Sequence, residues 1–194
     1  MKIGLLFGSF NPVHIGHLII ANSMIELANL NEVWLVVTPL NPFKKRDELL
    51  DENERLKMVN LAIHNNPKLR SSDIEFSLNK PNYTIDTLLY LKEIYPDNQY
   101  FLVMGEDNLL KFDQWKEYDK IFEEVEVLVY PRPYTPNTQL KIHPRVHIFN
   151  TPLLDISSTY IRENIKYGKS IKYLVPEDVE QYIIDKLKKH KFKE

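Results

Sequence analysis

The sequence predicts an α/β fold: a parallel sheet of five or six strands with helices on both faces and a C-terminal helical part over about residues 157–194. Three observations carry that expectation. Short apolar runs alternate with longer segments of helical period. Apolar strands separated by amphipathic helices form parallel sheets covered on both faces. The residues with chemical potential cluster just after the apolar runs, where open α/β sheets bind ligands. At 194 residues, one domain is expected across 1–194.

The elements follow in order. Ile3–Phe7 is a strand that stops at Gly8, and Ile15–Asn29 carries apolar residues at helical spacing. Val33–Thr38 is the second strand, followed by the Pro39–Lys45 loop. Asp51 with Glu54 three residues on reads as a capping-box variant opening a helix over Glu52–His64. Ile74–Phe76 and Val146–Phe149 are weaker strand candidates. A helix over Tyr83–Tyr95 starts around Thr84, a plausible cap, and stops before Pro96. Tyr100–Met104 is a strand that delivers Gly105-Glu106-Asp107, and Val125–Tyr130 is another. Pro131–Pro144 is a proline-rich loop long enough to move or to act as a lid. Ser158–Tyr167 is a helix ended by Gly168, and Pro176–Lys189 opens with the Pro, Glu and Asp expected of a first turn.

Composition excludes several classes of chemistry. With no cysteine, thiolate zinc sites, disulfides and cysteine nucleophiles are out of reach. A net charge of −2 gives no basis for broad nucleic-acid or membrane binding, and the lysines near the C-terminus read as a solvated last helical turn. No apolar stretch is long enough to span a membrane, and no signal peptide is visible, so a cytoplasmic location is expected. Oligomeric state is left open, a homo-oligomer included.

Two segments carry the chemistry. In GSFNPVHIGH, Gly8 and Gly16 permit close backbone approach. The helix that begins there offers amide groups and a positive dipole end, a natural anion site. His14 and His17, three apart, project to one side of its first turn, which suits a phosphorus centre that gains charge. In ISSTYIR, Ser157 or Ser158 caps a second helix. Ser158, Thr159 and the leading amides face a phosphate, and Arg162 leans back toward the same ligand. The standard phosphate loops are absent: there is no G-x-G-x-x-G, and Gly168-Lys169-Ser170 lacks the earlier glycine of a Walker A loop, where Glu163 stands.

These segments together resemble the bacterial nicotinate mononucleotide adenylyltransferases, within the nucleotidyltransferase superfamily marked by H-x-G-H. The resemblance runs along nearly the whole chain: GSFNPVHIGH, TPLNPFKK, YTIDTL, MGEDNL followed by Trp115, YPRP and ISSTYIR stand in the family's order. It implies a Rossmann-like fold and adenylyl transfer from ATP to nicotinate mononucleotide. His14, His17 and Arg162 are implied as catalytic, with His17 on the α-phosphate; Ser158, Thr159 and Arg162 would hold the β- and γ-phosphates. Gly8, Ser9, Phe10, Lys44, Gly105 and Asp107 complete the implied ATP site, with Asp107 near a ribose. Thr84, Trp115, Lys116 and Asp107 are implied for the mononucleotide, the indole stacking on the pyridine ring. The chain departs from the pattern at Phe43, where a histidine is usual, at Glu106, where a small residue is common, and at Tyr134, where glycine often follows R-P.

The chemistry matches such an inventory. A phosphate monoester is already charged near neutral pH, so the reaction needs neither a protein nucleophile nor a dedicated base. It needs alignment and cationic donors. Mg²⁺ should accompany the triphosphate, held mostly by phosphate oxygens and water, so no protein metal ligand is expected. The rivals are a sibling adenylyltransferase acting on phosphopantetheine, which would not need YTIDTL or Trp115, and a non-catalytic nucleotide sensor. A synthetase fragment is a weaker rival, because its Lys-Met-Ser-Lys-Ser loop is missing.

Overall fold

The structure, a computed structural model, describes residues 1–42 and 49–191, with side chains as far as residue 187. Six strands, β1 (Lys2–Gly8), β2 (Glu32–Val37), β3 (Leu69–Ser72), β4 (Gln99–Gly105), β5 (Glu126–Tyr130) and β6 (Val146–Ile148), form one sheet in the order β3-β2-β1-β4-β5-β6. Every pairing is parallel. Among the described residues seven α-helices accompany it: α1 (Ile15–Leu27), α2 (Glu52–Ile63), α3 (Thr84–Ile94), α4 (Glu106–Leu109), α5 (Tyr118–Glu124), α6 (Ser158–Lys166) and α7 (Glu177–Lys191).

Alternation along the strands divides the core. Val33, Leu35 and Val37 face one cluster, with α1, α2, α6 and α7, while Trp34 and Val36 face the other, with α3 and α5. Both faces of the sheet are therefore covered, which is why its central strands read as nearly unbroken apolar runs. Strand order reverses between β1 and β4, and ligand crevices in such sheets lie at the carboxyl ends of those strands.

Three local expectations need correction. Ile74–Phe76 is not a strand; it lies in a 3-10 turn over Ile74–Ser77, and the third strand is the preceding Leu69–Ser72. An edge strand with one ladder partner needs little apolar content, so LRSS gave no hydrophobic signal. The capping box at α2 is half formed. Asp51 accepts from the Asn53 amide at 2.9 Å, but the Glu54 carboxylate is drawn away to Tyr182 and Lys186 of α7. At α3 the cap position belongs to Tyr83, which makes no side-chain cap bond, and Thr84 is the first helical residue. The expected left-handed end of α6 is present, with Gly168 at φ 65°.

Candidate active site

The turn between β1 and α1 is built tightly. Phe10 adopts a left-handed φ of 44°, a conformation that costs a bulky residue strain and is found mainly at functional sites. Its ring folds back beneath Gly8, where an added Cβ would lie 2.8 Å from the ring, so only glycine fits. The other side of the ring meets His17 edge-on at 5.0 Å.

His14 caps α1 and is buried, with its ring stacked on that of His17 at 3.6 Å. The His14 amide donates to Nδ1 of His17 at 3.2 Å. In its neutral form His17 therefore carries its proton on Nε2. Burial, aided by the Arg132 charge, pushes His14 down to about 4, so it is neutral at physiological pH.

That shift carries a stability prediction. The unfolded imidazole takes up a proton below about pH 6.5, while the folded one does so only near pH 4. His14 should therefore cost no stability above the unfolded value and lower it progressively as pH falls toward 4. Denaturant unfolding at pH 7 and pH 4.5 should show a wild-type loss that exceeds the loss in His14→Asn by about 2–3 kcal/mol. Equal losses in the two proteins would refute it.

The α1 anion site is narrower than its sequence suggests, because the Ile15 amide is taken by the Leu174 carbonyl at 2.9 Å. In the first turn, Gly16 and His17 line the cleft. At α6, Ser157 is the cap, accepting from the Tyr160 amide at 3.2 Å. Ser158 donates its hydroxyl to the Pro12 carbonyl at 2.9 Å. Arg162 donates to the Asn11 carbonyl at 3.0 Å and to the Thr159 hydroxyl at 3.3 Å. The two helix starts, far apart in the chain, are thus bonded to each other.

Together they line one lobe of about 590 Å³ that takes in Gly8, Ser9, Phe10, His14, His17, Ser158, Thr159 and Arg162. Ser9 Oγ is buried there without a hydrogen-bond partner among the described residues. A second lobe of about 980 Å³ holds Thr84, Trp115 and Lys116. The lobes share Gly8, Asp107 and Tyr130, so they meet across the carboxyl ends of β1, β4 and β5.

In the second lobe the start of α3 faces inward without a side-chain cap, a favourable place for an anionic group. Trp115 is half-buried and leans on Phe112 at 5.1 Å. Lys116 is engaged by Asp86 at 2.9 Å and lies over the Tyr83 ring. At the junction, a Cβ on Gly105 would collide with Asp107 Oδ1 at 2.4 Å, so glycine there leaves room for that carboxylate. Lys44 and Phe43 fall outside the described residues.

Arg132 was missed as a site residue in the sequence, although YPRP was visible. It lines the first lobe 3.7 Å from Asp107 and donates to the Leu154 carbonyl at 3.1 Å. Its signal was position alone: an arginine directly after a strand's carboxyl end. Glu106, where a small residue is common, has a structural partner. Buried, it pairs with Lys141 at 2.7 Å and tethers the Pro131–Pro144 loop to α4. Tyr134, at φ 59° and 98% exposed, occupies the left-handed conformation for which glycine is the ordinary choice.

Among the described residues no three His, Asp or Glu side chains gather as a metal cage, and Asp107 is the one carboxylate lining the first lobe. Such a donor set fits a divalent cation that arrives on phosphate oxygens and keeps its water. No helix among the described residues is long and apolar enough to cross a membrane.

An open parallel sheet whose switch point carries a two-lobed cleft, one lobe made of two bonded helix starts, defines a nucleotide-binding α/β protein. The profile of the cytidylyltransferase-like family matches residues 5–164, and the chain belongs to that family. It is 54% identical over 186 residues to the probable nicotinate-nucleotide adenylyltransferase of Cytophaga hutchinsonii, covering 96% of this chain and 97% of that one. It is 46% identical over 183 residues to the protein of the same name from Bacteroides fragilis, covering 94% and 91%. The fold is also that of the Plasmodium falciparum nicotinic acid mononucleotide adenylyltransferase complexed with NaAD, with a TM-score of 0.81, 24% identity and 95% of each chain covered.

Proposed function

We infer that this chain transfers the adenylyl group of ATP to nicotinate mononucleotide, forming nicotinate adenine dinucleotide and pyrophosphate, a step of NAD biosynthesis. Relatives at 54% and 46% identity, matched along almost their full length, are named probable nicotinate-nucleotide adenylyltransferases. The observation that carries the reading is the single cleft whose phosphate lobe opens, across Gly8 and Asp107, into an aromatic lobe. One nucleotide fits each lobe, and the reacting phosphates would meet at the junction.

In this reading an oxygen of the mononucleotide phosphate bonds to the α-phosphorus of ATP. The bond from that phosphorus to the bridging oxygen breaks, and pyrophosphate leaves with the electron pair. His17 would donate from Nε2 to the α-phosphate, while Arg162, Thr159 and the α6 amides would hold the departing phosphates. His14, neutral and stacked on His17, would orient that ring. When bound with the triphosphate, Mg²⁺ would supply charge that shields it from the attacking phosphate, held mostly by phosphate oxygens and water, with Asp107 as the one carboxylate of that lobe's described lining able to accept from such a water. Trp115 would stack on the pyridine ring, and the uncapped α3 start would receive its carboxylate. The whole chain would act as one unit, and the cytoplasm is where we place it.

Initial rates of pyrophosphate release from ATP with the nicotinate and the nicotinamide mononucleotides, side by side, test this reading. The acid should be preferred; no pyrophosphate with either would overturn the assignment. Trp115→Ala should raise the KM for the mononucleotide about tenfold, the worth of one good ring stack, with the KM for ATP unchanged. An unmoved mononucleotide KM would favour a substrate without a pyridine ring.

A further inference from the structure

We propose that Arg55, on α2, is a positioning residue for triphosphate binding: its buried guanidinium fixes the turn after β1 so that the turn's amide face is presented to the phosphate lobe. The proposal rests on the adenylyl-transfer reading above. Arg55 is 1% exposed, yet it donates to four backbone carbonyls and, among the described residues, to no carboxylate. Nη1 reaches the Ser9 carbonyl at 2.6 Å and the Thr38 carbonyl at 2.8 Å. Nη2 reaches Pro39 at 3.0 Å and Nε reaches Leu50 at 2.9 Å. One side chain thereby ties the turn after β1, the chain leaving β2 and the residue preceding the α2 cap.

Stability alone is a poor reason for such a group. Burying a guanidinium is costly, and an apolar side chain of similar volume often serves a core as well or better. The carboxylates of Asp51 and Glu52 act on Arg55 only through space, and burial outweighs them. The reason lies in what the carbonyls belong to. In a trans peptide the C=O and N–H point in opposite directions. Drawing the Ser9 carbonyl down onto Arg55 therefore turns the Phe10 amide away from α2, in a turn whose residues line the phosphate lobe. It also helps hold Phe10 at its strained φ of 44°, which the ring's contacts with Gly8 and His17 fix from the other side.

Charge points the same way. The cations that line the lobe are partly committed, Arg132 beside Asp107 and Arg162 on the Asn11 carbonyl, and His14 is neutral. The guanidinium, bonded among the described residues to carbonyls, sets a positive charge behind the Ser9 carbonyl that Asp51 and Glu52 offset in part.

Arg55→Lys keeps the charge but cannot span four carbonyls; Arg55→Met keeps volume without charge. For each, thermal unfolding, the Kd for a non-hydrolysable ATP analogue and the KM for both substrates are measured. In Arg55→Met, the analogue Kd and the ATP KM should rise about tenfold or more, with the mononucleotide KM within about twofold and Arg55→Lys intermediate. A folded variant, of which Arg55→Lys is the safer, that binds the analogue like wild type would overturn the proposal. So would a loss of kcat with both KM values unmoved, since that reports only fewer folded molecules. If wild type made no pyrophosphate, the adenylyl-transfer reading would fail, while the analogue titration would still decide the role of Arg55.

Discussion

Replacing His17 with alanine is expected to lower kcat by about 10²–10³-fold, the usual cost of removing one preorganised donor to a transition-state oxyanion. The effect should fall on kcat more than on either KM, because the bond from Nε2 would strengthen as charge builds on the α-phosphate. Folding should survive. The ring is only half-buried, and its internal bond, accepted at Nδ1 from the His14 amide, is worth about 1 kcal/mol. Steady-state rates with both substrates saturating, alongside a thermal unfolding curve, make the measurement. A folded variant turning over within about threefold of wild type would leave a nucleotide-binding protein without this catalyst, as a sensor would be.

The second large effect is expected at Arg162. Arg162→Ala should reduce kcat/KM for ATP by about 10²–10³-fold, and Arg162→Lys should recover only part of it, since an ammonium lacks the planar fork. The side chain also donates to the Asn11 carbonyl at 3.0 Å, so alanine loosens the join between α6 and the turn as well. That loss should appear as a melting temperature lower by about 2–4 °C. Titrating ATP at fixed mononucleotide gives the first number, and calorimetry the second. An unchanged ATP dependence would show that the guanidinium serves only the join.

How far these residues could be read from the chain depended on distance. GSFNPVHIGH and ISSTYIR are each local, and their capping residues and glycines announce helix starts wherever they occur. That the two starts share one lobe follows from bonds spanning 146 and 151 residues, which no spacing rule reports. Arg55 shows the same limit more sharply. Its spacing from Met58 and Val59 sets it on the buried face of α2, but the carbonyls that meet it there come from strand ends no local pattern brings together. Glu54, read as half of a cap, was claimed by α7 for the same reason. The polar edge strand Leu69–Ser72 went unseen because its partner, β2, supplies the apolar face that it lacks.

The Ser158 and Arg162 bonds to Pro12 and Asn11, with Leu174 holding the Ile15 amide, join the last quarter of the chain to its opening residues. Because a ribosome delivers the N-terminus first, every strand of the sheet is made before the segment that completes the first lobe of the cleft leaves the exit tunnel. A chain released before α6 would lack the Ser158, Thr159 and Arg162 wall of that lobe, together with the Ile161, Val179 and Ile183 side chains that cover one face of the sheet.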